Sequence, residues 1–166
     1  MNHRLTGLSL VAALAFFGQA ALAQSASNSA DAITGVWETK SGGYVQIYRQ
    51  GDVFAGKIVG SADGKPRYDK NNPDQAKRDR RLLGQDILKG LKYQGDAKYE
   101  SGTIYDPNNG KTYKARAEMT GPDTLDARGY IGVSLIGKTQ TWHRIDPESE
   151  HVHADILEKA VGDAPK

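Results

Sequence analysis

The strongest constraint on how this chain can fold is a series of short segments in which apolar and polar residues alternate. In residues 111–119, Tyr113, Ala115 and Ala117 share one face, while the other face carries only polar and charged side chains. A period of two residues is typical of a half-buried β-strand, whose side chains point alternately to the two faces of a sheet. Just before this segment, Asn109-Gly110 supplies the positive φ angles of a tight hairpin turn. The pattern therefore predicts antiparallel β-structure.

Eight strand segments are predicted between residues 33 and 145, from alternation or from β-branched and aromatic content, and turn signals or polar residues separate them. Their connections are mostly short, and no long helix is predicted between them. These features indicate one all-β domain, a single eight-stranded antiparallel up-and-down barrel, rather than a sandwich. A barrel of eight strands is either filled by side chains or holds one small ligand. The predicted strands cover residues 33–40, 44–49, 53–59, 86–93, 98–105, 111–119, 124–131 and 135–145.

Two further segments interrupt or follow the barrel. Residues 61–85 form a long polar insertion between the third and fourth strands, and Asn72, followed by a proline, predicts the start of a short helix there. Residues 146–166 follow the last strand, and apolar residues such as Val152 and Ile156 recur there at the spacing of one helix face. We therefore expect a long loop containing a short helix, and a short C-terminal helix and tail packed on the outside of the barrel.

The first 23 residues have the composition of an export signal. Arg4 precedes an apolar run, and Ala21-Leu22-Ala23 is a small-residue cleavage signature. Residues 24–32 are rich in Ser, Ala and Asn and are predicted to be a disordered leader. The apolar run is shorter than the ~20 residues that span a bilayer. We therefore expect a soluble periplasmic protein, with no stable membrane insertion after the signal is cleaved.

Composition narrows the chemistry further. The chain has no Cys, which excludes disulfides, thiolate metal ligands and a cysteine nucleophile. Its formal net charge is +2, and acidic and basic residues alternate along the sequence, so neither nucleic acid nor an anionic membrane surface is favoured as a partner. His151 and His153 do not have the i, i+4 spacing that is common in helical metal sites. We predict no metal site and no cofactor.

Gly35 and Trp37 on the first strand, with Arg144 on the last, are similar to the lipocalin plan. In that plan the Trp closes one end of the barrel and the Arg stacks across it. Further motifs resemble the bacterial family called domain of unknown function 2147 over nearly all of residues 33–145. The resemblance implies an exported protein with a lipocalin-like barrel, and it brings no catalytic residue. The motifs, in order, are Arg81-Leu82-Leu83-Gly84, Ile87-Leu88-Lys89-Gly90-Leu91, Gly102-Thr103-Ile104-Tyr105-Asp106-Pro107, Gly110-Lys111-Thr112-Tyr113, Arg128-Gly129-Tyr130-Ile131-Gly132 and Gly137-Lys138-Thr139-Gln140-Thr141-Trp142-His143-Arg144.

Five residues are candidates for binding a ligand. The chain has eight Tyr against three Phe, so most of its large aromatic side chains carry a hydroxyl. Tyr44, Tyr105 and Tyr113 lie on predicted strands, where they either line a cavity or simply suit β-structure. Thr141 and His143 share one face of the last strand, which is polar on both faces. Polar groups inside a barrel need partners, and either a ligand or ordered water can supply them.

These observations favour a barrel that binds a small hydrophobic or aromatic molecule, with residues 61–85 gating its mouth. An enzyme that uses the same cavity is an alternative, and a carboxylate within hydrogen-bond reach of His143 would favour it. A third hypothesis is an envelope interaction protein whose barrel is filled by side chains. No catalytic residue is assigned, and a binding protein is favoured over an enzyme.

Overall fold

The computed structural model of the protein describes residues 29–159. Within them, eight strands pair antiparallel in chain order, and the last strand pairs with the first, so that the barrel closes. The predicted fold class is confirmed. Among the described residues, no helix is long and apolar enough to cross a membrane. The strands are β1 Gly35–Glu38, β2 Gly43–Gln50, β3 Val53–Ser61, β4 Asp86–Gly95, β5 Lys98–Asp106, β6 Lys111–Gly121, β7 Thr124–Tyr130 and β8 Gly137–Ile145.

The largest fully buried side chains gather at one end of the barrel. Except for Ile33, they occupy inward positions on the strands, because the alternation of a strand directs every second side chain to the interior. Phe54 and Tyr99 meet edge to face there, with ring centroids 5.4 Å apart. This end is therefore the packed core of the barrel. Burying each large apolar side chain there contributes roughly 1.5–3 kcal/mol to the free energy of folding. The main residues of the core are Ile33, Trp37, Ile47, Phe54, Leu91, Tyr99 and Leu125.

A single turn of 3-10 helix, Ala30–Ile33, lies across the packed end. The Tyr99 hydroxyl donates a hydrogen bond to the carbonyl of Ala30 at 2.9 Å, and the Trp37 indole N–H donates to the carbonyl of Ile33 at 2.9 Å. Disorder over residues 24–32 was therefore a wrong prediction for the last of them, because side chains of the barrel order the turn. Residues 24–28 and the predicted signal, residues 1–23, lie outside the described residues.

The helix in the insertion is shorter than its sequence suggests. It is one 3-10 turn, Gln75–Lys77, and Asp74 caps it by accepting a hydrogen bond from the Ala76 N–H. Asn72 does not cap this turn, because its side chain donates to Asp69 and accepts from the Asp74 N–H. The Asn72 side chain, which was expected to cap the helix, therefore bonds to Asp69 and Asp74 instead.

The segment after β8 packs on the outside of the barrel, mostly as extended chain. Val152 forms a bridge with Gly60, and the His153 N–H donates to the carbonyl of Val59 at 2.8 Å. The only helical turn described in this segment is the 3-10 turn Ala154–Ile156. Hydrogen bonds to β3 hold the chain extended where an amphipathic helix was expected. The apolar contacts join Val152, Ile156 and Leu157 of the segment to Val36, Tyr44 and Val59 of the barrel.

Two strands start two residues later than predicted. Ile33 belongs to the 3-10 turn, so β1 begins at Gly35. Leu135 and Ile136 belong to the β7–β8 connection, so β8 begins at Gly137. Both segments are rich in β-branched or large apolar residues, and alternation alone does not distinguish them from strands.

Candidate functional site

The end of the barrel opposite the 3-10 turn Ala30–Ile33 is hollow. A cavity of about 980 Å³ occupies it and reaches the connections after β1, β3, β5 and β7. Small-molecule sites in proteins have volumes of roughly 300–1,000 Å³, so the cavity is large enough for a ligand of metabolite or lipid size. The hypothesis of a barrel filled by side chains does not fit this half of the molecule.

Small side chains on β6 and β7 produce the space. Their inward positions in this half carry Ala115, Ala117, Ala127 and Gly129, whereas Trp37 and other large residues fill the opposite half. The strand number fixes the width of a barrel, so short inward side chains leave volume unfilled. The apolar floor of the cavity is formed by Val45, Leu88, Leu125 and Trp142.

Trp142 carries the one buried polar side-chain atom that has no hydrogen-bond partner within residues 29–159. Its side chain is 3% exposed and lines the cavity, and the unpaired atom is the indole Nε1. Leaving a buried donor without an acceptor costs about 1–3 kcal/mol, and such a group calls for an explanation. A ligand with an acceptor oxygen is one way to satisfy it. Trp142 was not among the predicted ligand-binding residues, although its alternation with Arg144 places both on one face of β8.

The structure separates the three predicted tyrosines. Tyr113 lines the cavity, and its hydroxyl accepts a hydrogen bond from the Asn109 side chain at 3.0 Å. Tyr105 lies at the cavity rim, where its hydroxyl donates to Asp69. Tyr44 packs on the outer side of the barrel under the C-terminal segment, because Val45 and Ile47 take the inward positions of β2.

Thr141 and His143 lie on the outer face of β8, since Gln140, Trp142 and Arg144 take the inward positions. The Thr141 hydroxyl donates to Asp126 at 2.7 Å across the β7–β8 pair. The His143 side chain is exposed, and its imidazole makes no hydrogen bond or ion pair with the described residues. The five predicted residues therefore do not form one site, and only Tyr105 and Tyr113 line the cavity. Within residues 29–159, no group of three His, Asp or Glu is arranged to hold a metal ion.

A buried carboxylate that the sequence analysis missed organises the insertion at the mouth. Asp69 is fully buried and accepts from the Tyr105 hydroxyl at 2.5 Å and the Asn72 amide at 2.7 Å. The Arg80 guanidinium donates to it through Nε at 3.0 Å and Nη2 at 2.8 Å. Burial alone would raise the pKa of Asp69, but these donors outweigh burial and hold it below its ordinary value. Burial and the Asp69 carboxylate raise the pKa of Tyr105 to about 12.

The insertion is attached to the next rim connection as well. The Asn71 amide donates to the carbonyls of Pro107 and Asn108 at 3.1 and 3.0 Å. Gly110 has a φ of +70°, and a Cβ placed there would lie 1.8 Å from the Asn71 carbonyl oxygen. Only glycine allows this approach. In this structure the insertion is thus fixed to the rim by side-chain and backbone contacts, and the gating role predicted for residues 61–85 remains a prediction.

At the packed end, the Arg144 guanidinium lies over the Trp37 ring, 4.2 Å from its centroid. It donates to the carbonyls of Thr34 and Ala32 at 2.6 and 2.7 Å. Gly35 makes room for it, because a Cβ there would lie 2.4 Å from Arg144 Nη1. Burial lowers the pKa of Arg144, and Asp123 partly offsets that shift. The three residues hold the 3-10 turn Ala30–Ile33 and the last strand together, and none of them lines the cavity.

Comparisons with known proteins agree with this architecture. Residues 35–144 match the family model of DUF2147, a family whose description is "uncharacterized protein conserved in bacteria". A solved structure, that of protein HP1028 from Helicobacter pylori, is similar with a TM-score of 0.65 and 27% sequence identity. The similarity covers 70% of this chain and 84% of that one, and that protein is described as belonging to the lipocalin family. No curated protein sequence matches the chain at a significant level.

Proposed function

The chain belongs to the bacterial family DUF2147, and on that premise we propose that its barrel binds a small, partly apolar molecule in the cavity. The observation that carries the proposal is the hollow half of the barrel, about 980 Å³ in volume, with the unpaired indole N–H of Trp142 at its floor. An apolar cavity with few polar groups is the usual form of a small-molecule site. The ligand that fits has a flat or aliphatic body and one acceptor oxygen for Trp142.

We further propose that the protein acts after export, in the periplasm. Arg4, the apolar run that follows it and Ala21-Leu22-Ala23 support this location. Cell fractionation followed by N-terminal sequencing of the mature protein tests it. Recovery from the periplasm with Gln24 as the first residue is expected, whereas an uncleaved cytoplasmic product would contradict the proposal.

Fluorescence titration with 8-anilinonaphthalene-1-sulfonate tests the binding function, because the chain has only two Trp and they lie in different halves of the barrel. Bound probe is expected to quench Trp142, which lines the cavity, more than Trp37, which lies in the packed core. Quenching should therefore persist in Trp37→Phe and largely disappear in Trp142→Phe.

A pair of matched variants locates the binding site. Ala127→Leu adds volume inside the cavity without removing a polar contact, so it should weaken probe binding at least tenfold. Thr141→Val changes the outer face of the neighbouring strand and should leave binding unchanged. Equal binding by both variants would place the probe elsewhere and reject the cavity as the site. Native mass spectrometry of protein purified from its own cells then identifies the natural ligand by mass.

A further inference from the structure

The connection between β7 and β8 exposes an apolar tip at the mouth of the barrel. We call residues 131–136 the mouth hairpin. Four of the five exposed large hydrophobic side chains within residues 29–159 belong to it: Ile131 is 61% exposed, Val133 62%, Leu135 88% and Ile136 68%. A cluster of this kind in so short a segment marks an interaction site rather than ordinary surface.

Cationic side chains surround the mouth hairpin, and no acidic residue lies on the adjoining parts of its strands. Residues 107–117 and 127–145 contain no Asp or Glu. Lys114 reaches the hairpin directly, because its ammonium donates to the carbonyl of Gly132 at 3.4 Å. Arg116 and Arg128 are directly opposite each other on β6 and β7. Like charges opposite each other are destabilising in a sheet, so this part of the strand pair concentrates positive charge beside the hairpin.

Most backbone carbonyls of the mouth hairpin accept a hydrogen bond. Arg128 donates to the Ser134 carbonyl through Nε at 2.9 Å and Nη2 at 2.7 Å, and to the Leu135 carbonyl at 3.2 Å. The Ile131 N–H donates to the carbonyl of Ile136, and the Ile136 N–H donates to the carbonyl of Val133, both at 3.1 Å. Unpaired backbone groups are costly in a lipid environment, so the paired carbonyls lower the cost of placing this tip in the interfacial region.

We propose that the mouth hairpin docks the barrel on an anionic lipid bilayer. Its four apolar side chains enter the interfacial region, and Lys114, Arg116 and Lys138 lie at the level of the headgroups. Apolar residues beside Lys and Arg form the usual combination for peripheral membrane binding. A protein partner fits less well, because stable protein interfaces bury about 800 Å² on each side. Such interfaces use roughly 20–30 residues on each side, and the mouth hairpin, residues 131–136, is much smaller.

The test is flotation of the full chain with vesicles of phosphatidylethanolamine and phosphatidylglycerol, compared with vesicles of phosphatidylcholine alone. Binding to the anionic vesicles only, weakened by salt, is expected. Leu135→Ser combined with Val133→Ser should lower partitioning at least tenfold. Lys114→Gln with Lys138→Gln should lower it by about fivefold for each charge removed. The matched control, Lys92→Gln with Lys98→Gln, removes the same charge on β4 and β5 and should bind like the unchanged protein.

Three results would overturn the proposal: no binding to anionic vesicles, equal loss in the control pair, or a dimer in solution that Leu135→Ser converts to a monomer. The last result would assign the mouth hairpin to contact with a second copy of the chain. The proposal does not depend on the binding function. Probe binding in the cavity should survive Leu135→Ser, and vesicle binding should survive Ala127→Leu, so failure of one proposal is distinguishable from failure of the other.

Discussion

Removal of the Asp69 carboxylate is expected to release the insertion at the cavity mouth. Tyr105, Asn72 and Arg80 all donate to this one fully buried group. A hydrogen bond to a charged group contributes about 1.5–3 kcal/mol, and these contributions are not additive. Breaking a buried ion pair by removing one partner costs about 3–5 kcal/mol. Because the Arg80 side chain is 36% exposed and can hydrate, we expect Asp69→Ala to cost about 3 kcal/mol.

Two measurements separate opening of the insertion from global unfolding. Urea denaturation reports the loss of global unfolding free energy. That loss cannot exceed the free energy of opening the insertion alone, because beyond it the insertion opens while the barrel stays folded. Hydrogen exchange of the Asp69 and Leu82 amides reports opening directly, because they donate to the Arg80 and Arg67 carbonyls within the insertion. A double-mutant cycle with Asp69→Ala, Tyr105→Phe and the combined variant measures the coupling free energy between the Asp69 carboxylate and the Tyr105 hydroxyl. A loss below about 1 kcal/mol by both measurements would refute the assigned role of Asp69.

The pH dependence has a definite sign. The pKa of Asp69 is depressed in the folded protein, because its hydrogen-bond donors outweigh the burial that would raise it. Its contribution to stability is therefore fully present above the ordinary aspartate pKa of ~3.9 and is lost as the pH falls through the lower folded value. Asp69→Asn should lack this part of the acid-induced loss. An identical acid profile in Asp69→Asn and in the unchanged protein would contradict the argument.

Three further predictions concern other parts of the molecule. Trp37→Ala should lower the unfolding free energy by about 3–5 kcal/mol in chemical denaturation, since it removes a fully buried aromatic side chain; a loss below about 1 kcal/mol would exclude Trp37 from the core. Gly60→Ala should displace the C-terminal segment, because the new Cβ would lie 2.0 Å from the carbonyl oxygen of His151. Faster proteolysis after β8 is the expected sign, and unchanged cleavage would show that the segment accommodates the methyl group. Tyr113→Ala should weaken probe binding in the cavity while lowering the unfolding free energy by only about 1 kcal/mol; unchanged affinity would remove Tyr113 from the site.

Alternation, β-branched and aromatic residues and turn signals together were enough to predict that eight strands exist. Residues 111–119 were assigned from a period of two, and β6 spans Lys111–Gly121 in the structure. The pattern is informative because one face of each strand is buried, and a shift of one residue would expose the whole apolar set. The helices were predicted less well. Asn72 carries a helix-start signal, but its side chain donates to Asp69, a local partner that is buried because Tyr105 and Arg80 also donate to it.

The candidate site depended on contacts that no local pattern contains. Alternation did not decide which face of β8 points inward, because both faces carry polar residues. The structure decides it by placing Trp142 opposite Leu125 of β7 in the core, so His143 points outward. Asp69 meets Tyr105 only because the insertion folds back to the rim at β5. Charges alternate along the chain, yet strand pairing brings Arg116 and Arg128 together, which sequence-averaged charge does not reveal.

The closure of the barrel has a consequence for how the polypeptide is made. The pairs Val36 with Ile145 and Trp37 with Arg144 join the first and last strands, so β1 remains an open sheet edge until β8 has been synthesised. An unpaired edge presents free N–H and C=O groups to other chains, and contacts between distant residues form slowly. A nascent chain that stops before β8 therefore exposes two edges, one at each end of an incomplete sheet. The contact between the Arg144 guanidinium and the Trp37 ring can form only after both edges have paired. It is therefore present only in the closed barrel.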